Sequence, residues 1–224
     1  MRINAKNQKE KRIAAFFDMD NTLLNINSST KLAFYMLWKR AVPIKMFIFL
    51  FVTGILYLFY LYRPESILTK HIKMLKGHSI VEYKKVGDKL FSNPNKYFRK
   101  SILDQFKEHK KKGHFVVVIT QNYDLVAKYF TDIIKPNELV CTVPEIILGK
   151  FTGKTLKLCV SHNKSDYVIE LARKYNLDLN NSYAYTDSIH DIKMLELVGN
   201  VYIVNRNPFL KRLAKKRNWN IIEE

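Results

Sequence analysis

Residues 16–24 read FFDMDNTLL. Two aspartates, Asp18 and Asp20, stand one residue apart at the end of an apolar run, with Thr22 two positions further on. Residues 12–17 predict a buried parallel strand, and open α/β sheets bind ligands just outside the carboxyl ends of such strands. On a strand or its first extended turn, residues i and i+2 point the same way, so the two acids are expected to converge on one ligand. Paired carboxylates in that position point to a hard cation, to nucleophilic catalysis, or to both. The same pentapeptide also reads as a solvated turn rich in Asp and Asn.

Outward from this strand, residues 30–40 carry helical periodicity through Leu32, Phe34, Tyr35 and Trp38. The composition then changes: residues 46–62 hold no charged side chain and are crowded with Phe, Leu, Ile and Tyr, between Lys45 and Arg63. Residues 65–91 return to an amphipathic, lysine-dotted helical pattern broken near Gly77 and Gly87. Residues 37–93 therefore read as an inserted helical subdomain, leaving 1–36 and 94–224 as the core. In that second part, helices are expected over 97–112, 125–132, 164–175 and from 191. Strands are expected over 115–119, 139–142, 182–185 and 201–204, with a hairpin around 148–153. Strands alternating with helices at this spacing imply an α/β fold, a parallel sheet covered by helices on both faces.

The 224 residues allow one full core and a small subdomain. With 38 Lys and Arg against 20 Asp and Glu the formal charge is +18, which favours anionic partners: phosphate esters, acidic lipid surfaces or nucleic acid. Cys141 and Cys159 are not spaced as a short metal-ligand pair, and two cysteines make no disulfide framework in a chain of this length. They read as reduced thiols of a cytoplasmic protein. The first twelve residues are polar and basic, without the apolar stretch of a secretory signal, so export is not expected.

Three further strand ends fall into line with the first. The run VVVIT ends in Thr120, and the turn at Gln121 and Asn122 is expected to leave backbone amides free; a hydroxyl with exposed N–H groups holds a phosphate oxygen. In SYAYTDSIHD, Asp187 falls just past a strand and Asp191 four residues later, a spacing that lets a turn and a helix opening present both acids to one cation. Lys164 opens a helix after the polar residues 161–163, where one positive charge would neutralise a phosphoryl group and offset the carboxylates. Taken singly, a strand-end Thr is usually a cap and a helix-opening Lys usually a solvated face. Their joint order carries the weight.

That order resembles the haloacid dehalogenase-like superfamily, and within it the phosphoserine-phosphatase-like branch. Asp18, Asp20 and Thr22 match its first motif, Thr120 its second, Lys164 its third, and Asp187 with Asp191 its fourth; LGKFTG, residues 148–153, resembles its hairpin. The resemblance covers residues 12–36 and 95–220. It implies a Rossmann-like core with an inserted cap and a Mg²⁺-dependent phosphomonoester hydrolase acting through an aspartyl-phosphate. Asp18 would be the nucleophile and Asp20 the acid and base. Asp18, the Asp20 carbonyl and Asp187 would hold Mg²⁺, with Asp191 bracing its water shell. Thr120, Gln121 and Lys164 would hold the transferring oxygens, with Thr22 and Asn122 lining the substrate side. The resemblance also places the branch's amino-acid anchors: the acidic position is Asn27 and the cap arginine position is His71. Losing both charges removes the contacts that would recognise phosphoserine, with His71 left as a substrate-facing residue.

The 17 residues of 46–62 reach about 26 Å as a helix, against a hydrocarbon core of about 30 Å. Asp18 precedes the stretch and Asp187 lies beyond it, so a single crossing would separate them; a return crossing is opposed by Lys70, His71, Lys73 and Lys76. The stretch is thus either buried cap core or a hairpin bent near Thr53 and Gly54 lying in one leaflet. The basic composition favours an anionic inner-membrane surface, and with it a lipid or amphiphilic phosphate as substrate. The competing expectation is a phosphatase for a small soluble metabolite. A nucleic-acid-binding protein using residues 107–112 and 206–217 is disfavoured, because no aromatic and basic platform accompanies those runs.

Overall fold

The computed structural model describes residues 10–40, 44, 48, 49, 52, 53, 64–204 and 208–223. The opening strand, β1 (Ala14–Phe17), has every side chain fully buried. Such a run can only be an interior strand, and β1 lies in the middle of a seven-stranded sheet. With β2 (Phe115–Tyr123), β3 (Glu138–Ile147), β4 (Lys150–Lys157), β5 (Tyr183–Thr186), β6 (Asn200–Val204) and β7 (Asn220–Ile222), the order is β4-β3-β2-β1-β5-β6-β7. Every pairing is parallel except that of β4 with β3. The chain order reverses at β1, flanked by β2 and β5, so their carboxyl ends enclose the crevice where such sheets bind ligands.

The period-two alternation of β1 divides the interior. Ala15 and Phe17 face a core built with Ile102 and Phe106 of α4 (Lys100–Lys111) and Val126, Ala127 and Phe130 of α5 (Asp124–Ile134). Ala14 and Phe16 face the opposite core, with Val168 and Leu171 of α6 (Lys164–Tyr175), Met194 and Leu195 of α7 (Ile192–Leu195), and Leu210 and Ala214 of α8 (Pro208–Lys216). Helices on both faces of a parallel sheet are the architecture expected from the alternation of elements.

Three further α-helices with described bounds are α1 (Ser28–Trp38), α2 (Pro64–Met74) and α3 (Ile80–Leu90). α1 runs two residues past the boundary expected at 36. Ile72, Leu75 and Tyr83 of the inserted segment share one apolar cluster with Phe130 and with Phe151 of β4. The hairpin ties the insertion down: Gly77 N–H donates to the Phe151 carbonyl at 2.8 Å, Phe151 N–H to the His78 carbonyl at 3.1 Å, and Ile80 N–H to the Gly149 carbonyl at 2.9 Å. Gly77 breaks the helical pattern as expected, but Gly87 lies inside α3. A Cβ there would come within 2.7 Å of the Tyr129 hydroxyl, so this glycine serves close packing rather than a break. Of residues 46–62, only 48, 49, 52 and 53 are described, and the choice between cap core and leaflet hairpin falls largely outside the described residues.

Two expectations are corrected locally. The helix over 97–112 starts only at Lys100, because the preceding residues pair with the first loop: Asn25 N–H donates to the Tyr97 carbonyl at 2.8 Å and Arg99 N–H to the Leu23 carbonyl at 2.8 Å. β2 continues to Tyr123, beyond the expected end at 119, through a bulge in its pairing with β3 between Ile119 and Tyr123. The two basic runs are partly consumed by the fold. Lys110 Nζ donates to the carbonyls of Ile134 and Lys135 at 3.1 and 2.6 Å at the end of α5, and Lys211 Nζ lies 2.7 Å from Glu223 Oε1. Among the described residues, no helix is long and apolar enough to cross a membrane.

Candidate active site

Asp18 is the first residue past β1, held to β5 by its N–H, which donates to the Tyr185 carbonyl at 3.0 Å. Its Oδ1 lies 2.7 Å from Nζ of Lys164, the buried first residue of α6. The chain then leaves the strand for a wide turn, Met19–Leu23, in which Leu24 N–H donates to the Met19 carbonyl at 2.9 Å and Asn21 takes a left-handed φ of 57°. Arg99 pins this turn, Nε donating to the Thr22 carbonyl at 3.2 Å and Nη2 to the Asn21 carbonyl at 3.3 Å. The strand alternation expected to aim Asp18 and Asp20 together therefore ends at Phe17. The two acids hold separate partners instead: Asp20 Oδ1 accepts from Ser28 Oγ at 2.7 Å and Ser28 N at 3.1 Å, and its Oδ2 accepts from Asn122 Nδ2 at 3.0 Å.

The fourth motif closes on the first. Thr22 Oγ1 lies 3.3 Å from both Asp18 Oδ2 and Asp187 Oδ1 and accepts from the Asp187 N–H at 3.0 Å. Thr22 is fully buried between these carboxylates, so its expected place on the substrate side is corrected: it braces two acids. Asp191, also fully buried, accepts at Oδ2 from Lys164 Nζ and from Thr186 Oγ1, both at 2.8 Å. Its Oδ1 is buried with no hydrogen-bond partner among the described residues. Lys164 thus bridges the first and fourth motifs.

Thr120 is buried at the bulge of β2, where its Oγ1 accepts from Asn122 N–H at 3.2 Å. The Asn122 amide expected to be free is therefore engaged. The Asn122 side chain is likewise committed, to Asp20 and to Ser28 Oγ at 2.9 Å, and does not line an open substrate surface. Gln121 Nε2 donates to Ser161 Oγ at 2.7 Å, joining the end of β2 to the turn before Lys164. His71 of α2 meets Tyr123, Nδ1 to Oη at 2.7 Å with the rings stacked, which links the insertion to the end of β2. Asn27 caps α1, its Oδ1 accepting from Thr30 N–H at 2.9 Å. Ser28, Arg99, Ser161 and Thr186 escape the motifs. Of these, Thr186 alone has a visible signal, a strand-end hydroxyl directly before Asp187.

Charge and burial are in tension throughout the site. Burial pushes the Asp18 carboxyl up to about 7 against the opposing pull of Lys164, and pushes Asp187 up to about 6, with Asp191 adding to the rise. Asp20 is raised by burial too, partly offset by the hydrogen bonds from Ser28 and Asn122. Burial works against the Lys164 ammonium, but Asp18 and Asp191 hold it well above the ordinary lysine value. Asp18, Asp187 and Asp191 cluster about Lys164 and present hard oxygen donors. The unpartnered Asp191 oxygen and the carboxylates beside it are donors of the type a hard divalent cation takes, although as the side chains stand no three His, Cys, Asp or Glu among the described residues are grouped to hold a metal ion.

The family profile described as haloacid dehalogenase-like hydrolase matches residues 15–196. The chain is 28% identical to a probable phosphatase of Mycobacterium tuberculosis, over 94% of this chain and 75% of that protein. It is 29% identical to a phosphoserine phosphatase of the same species, over 93% of this chain and 70% of that one. Among solved structures, a protein of unknown function from Bordetella pertussis Tohama I superposes with a TM-score of 0.82 at 22% identity, covering 95% of this chain and 99% of that one. A substrate-bound phosphoserine phosphatase superposes with a TM-score of 0.71 at 19% identity, covering 97% and 95%. The structural likenesses show the fold. The chain belongs to the haloacid dehalogenase-like hydrolases. Its relatives in that family include proteins named as phosphatases.

Proposed function

We propose that the protein hydrolyses phosphomonoesters through an aspartyl-phosphate on Asp18. The observation that carries this reading is the separation of the two aspartates: Asp18 is paired with Lys164, while Asp20 is held apart by Ser28 and Asn122. A carboxylate oxygen of Asp18 attacks phosphorus as the ester P–O bond breaks, and the departing alcohol takes its proton from Asp20. In the second half, Asp20 takes a proton from water, whose oxygen attacks the same phosphorus; inorganic phosphate leaves and both carboxyl groups are restored. Lys164, Thr120 and Gln121 would hold the equatorial oxygens, where phosphoryl transfer needs fixed positive charge and donors. Asp18, Asp187 and the Asp20 carbonyl would hold Mg²⁺, with Asp191 beside them; bound there, the cation neutralises phosphoryl charge as a Lewis acid.

The leaving group is not an amino acid in this reading. Asn27 spends its side chain capping α1 and His71 its Nδ1 on Tyr123, so neither supplies a charge for an ammonium or a carboxylate. Burial holds the His71 imidazole down to about 4, keeping it neutral. An amphiphilic or lipid phosphate, met at the cytoplasmic face of an anionic membrane, is the substrate class favoured. Residues 21–64 contain no acidic side chain but include Lys31, Lys39, Arg40, Lys45 and Arg63. In the same segment Trp38, Ile48 and Val52 are 69%, 55% and 47% exposed. Exposed apolar side chains within a wholly basic stretch suit an anionic lipid surface.

Two measurements test this. Asp18→Asn should abolish release of phosphate from p-nitrophenyl phosphate, whereas Asp20→Asn should accumulate a phosphorylated protein visible by intact mass; free turnover by either variant refutes the assignment. Flotation with anionic vesicles should retain wild type and lose Trp38→Ser/Ile48→Ser/Val52→Ser. A wild type that floats with no vesicles leaves a phosphatase for soluble esters.

A further inference from the structure

We infer that Ser28 and Asn122 are positioning residues for Asp20, together fixing which of its carboxyl oxygens meets the leaving group. The inference rests on the role of Asp20 proposed above. Asp20 sits in a turn with extended backbone, φ −70° and ψ 134°, before the left-handed Asn21. The turn therefore leaves the orientation of the side chain to its partners.

Those partners come from two other elements and contact one another. Ser28, at the N-terminus of α1, gives Oδ1 both its hydroxyl at 2.7 Å and its backbone N–H at 3.1 Å. Asn122, in the bulge of β2, gives Oδ2 its Nδ2 at 3.0 Å and reaches Ser28 Oγ at 2.9 Å. A carboxyl oxygen offers two lone-pair directions. Ser28 fills both on Oδ1, and the Ser29 backbone N–H adds a further bond to the carboxyl, while Asn122 is the side chain that holds Oδ2, the oxygen assigned to the leaving group.

Donation to Asp20 and Ser28 sets the orientation of the Asn122 amide. Its Oδ1 is buried without a hydrogen-bond partner among the described residues, an unfavourable arrangement for a buried acceptor. Turned the other way, the amide would set that oxygen against the Asp20 carboxylate and lose both donated bonds. The bulge of β2 makes the contact geometrically available, because it releases residues 120–122 from the regular β3 ladder.

The test is a leaving-group comparison of kcat/KM, which reports the steps up to departure of the alcohol. p-Nitrophenolate leaves with little help from an acid, whereas the alkoxide of n-hexyl phosphate needs a proton. For Ser28→Ala and for Asn122→Ala, the ratio of kcat/KM for the aryl ester over the alkyl ester should rise about tenfold to a hundredfold, and Ser28→Thr should return it to within about threefold of wild type. Thermal melting of each variant separates lost folding, which lowers both esters together and leaves the ratio alone. An active wild type with a ratio unmoved in both alanine variants overturns the positioning role. A wild type inert towards both esters overturns the parent reading and this one with it.

Discussion

Replacing Lys164 by methionine keeps the aliphatic stem and deletes the charge. In the wild type Nζ lies 2.7 Å from Asp18 and 2.8 Å from Asp191, and Lys164 is 1% exposed. Removing one member of a buried ion cluster strands the others, which costs about 3–5 kcal/mol. Thr22 and Thr186 remain as partners of the two carboxylates, but neither brings a charge. At about 2–4 °C per kcal/mol for a chain of this size, the melting temperature should fall by about 6–20 °C at pH 8. The pH dependence gives a second handle. Burial already lifts Asp18 from 3.8 to about 7 with the lysine in place, and losing Lys164 lifts it further. A carboxyl whose folded value is raised binds a proton that the unfolded chain has released, so stability falls as pH rises from the unfolded value through the folded one. The deficit of Lys164→Met against wild type should therefore be small at pH 5 and largest at pH 8. Urea unfolding at pH 5, 6.5 and 8 measures it. A deficit below about 1 kcal/mol at pH 8, or one independent of pH, refutes the reasoning.

Three further outcomes are expected. Gly87→Ala should cost about 1–3 kcal/mol, because its Cβ would meet the Tyr129 hydroxyl at 2.7 Å, and adding Tyr129→Phe should recover part of the loss in a double-mutant cycle. His109 shares hydrogen bonds of 2.8 Å with both Tyr185 and His114, and burial, reinforced by His114 and Lys112, holds its imidazole down to about 4. Neutral when folded and charged when unfolded, it should make wild-type stability full above about pH 6.5 and progressively lost towards pH 4, a slope that His109→Phe flattens in denaturation curves. Added Mg²⁺ should raise the wild-type melting temperature, and Asp187→Ala should remove most of that rise; an undiminished response takes Asp187 out of the ligand set.

Much of the site is legible in the sequence because strand-end position and residue type are both written locally. The run AAFF announces an interior strand, and the residues just past the carboxyl end of such a strand stand at the ligand-binding edge of the sheet. Lys164 at the opening of α6 is legible to the residue, since a helix start after the polar residues 161–163 has a local signature. The hairpin at 148–153 is equally plain, with Leu148 and Gly149 both at positive φ in the two-residue turn. Less legible are the ends of elements set by other segments. Helix α4 begins late because residues 23–25 claim the chain before it, and β2 runs long because its bulge lets it rejoin β3 at Tyr123.

The sequence by itself determined the order of elements as far as β6, though not α8 or β7 beyond it, the side of the sheet carrying Asp18, Thr120, Lys164, Asp187 and Asp191, and the family to which the chain belongs. Only the tertiary structure decided what those residues do to one another. Thr22 became a brace between Asp18 and Asp187, Asn122 turned to Asp20 and Ser28, and Asp18 and Asp20 took separate partners. The physical reason is that a side chain's partner depends on distances between elements far apart in the chain, 94 residues between Ser28 and Asn122 and 146 between Asp18 and Lys164. Local propensity carries no information about which of several buried donors a carboxylate will find. Packing of β1 between β2 and β5 sets those distances, and burial then makes each choice of partner costly to change.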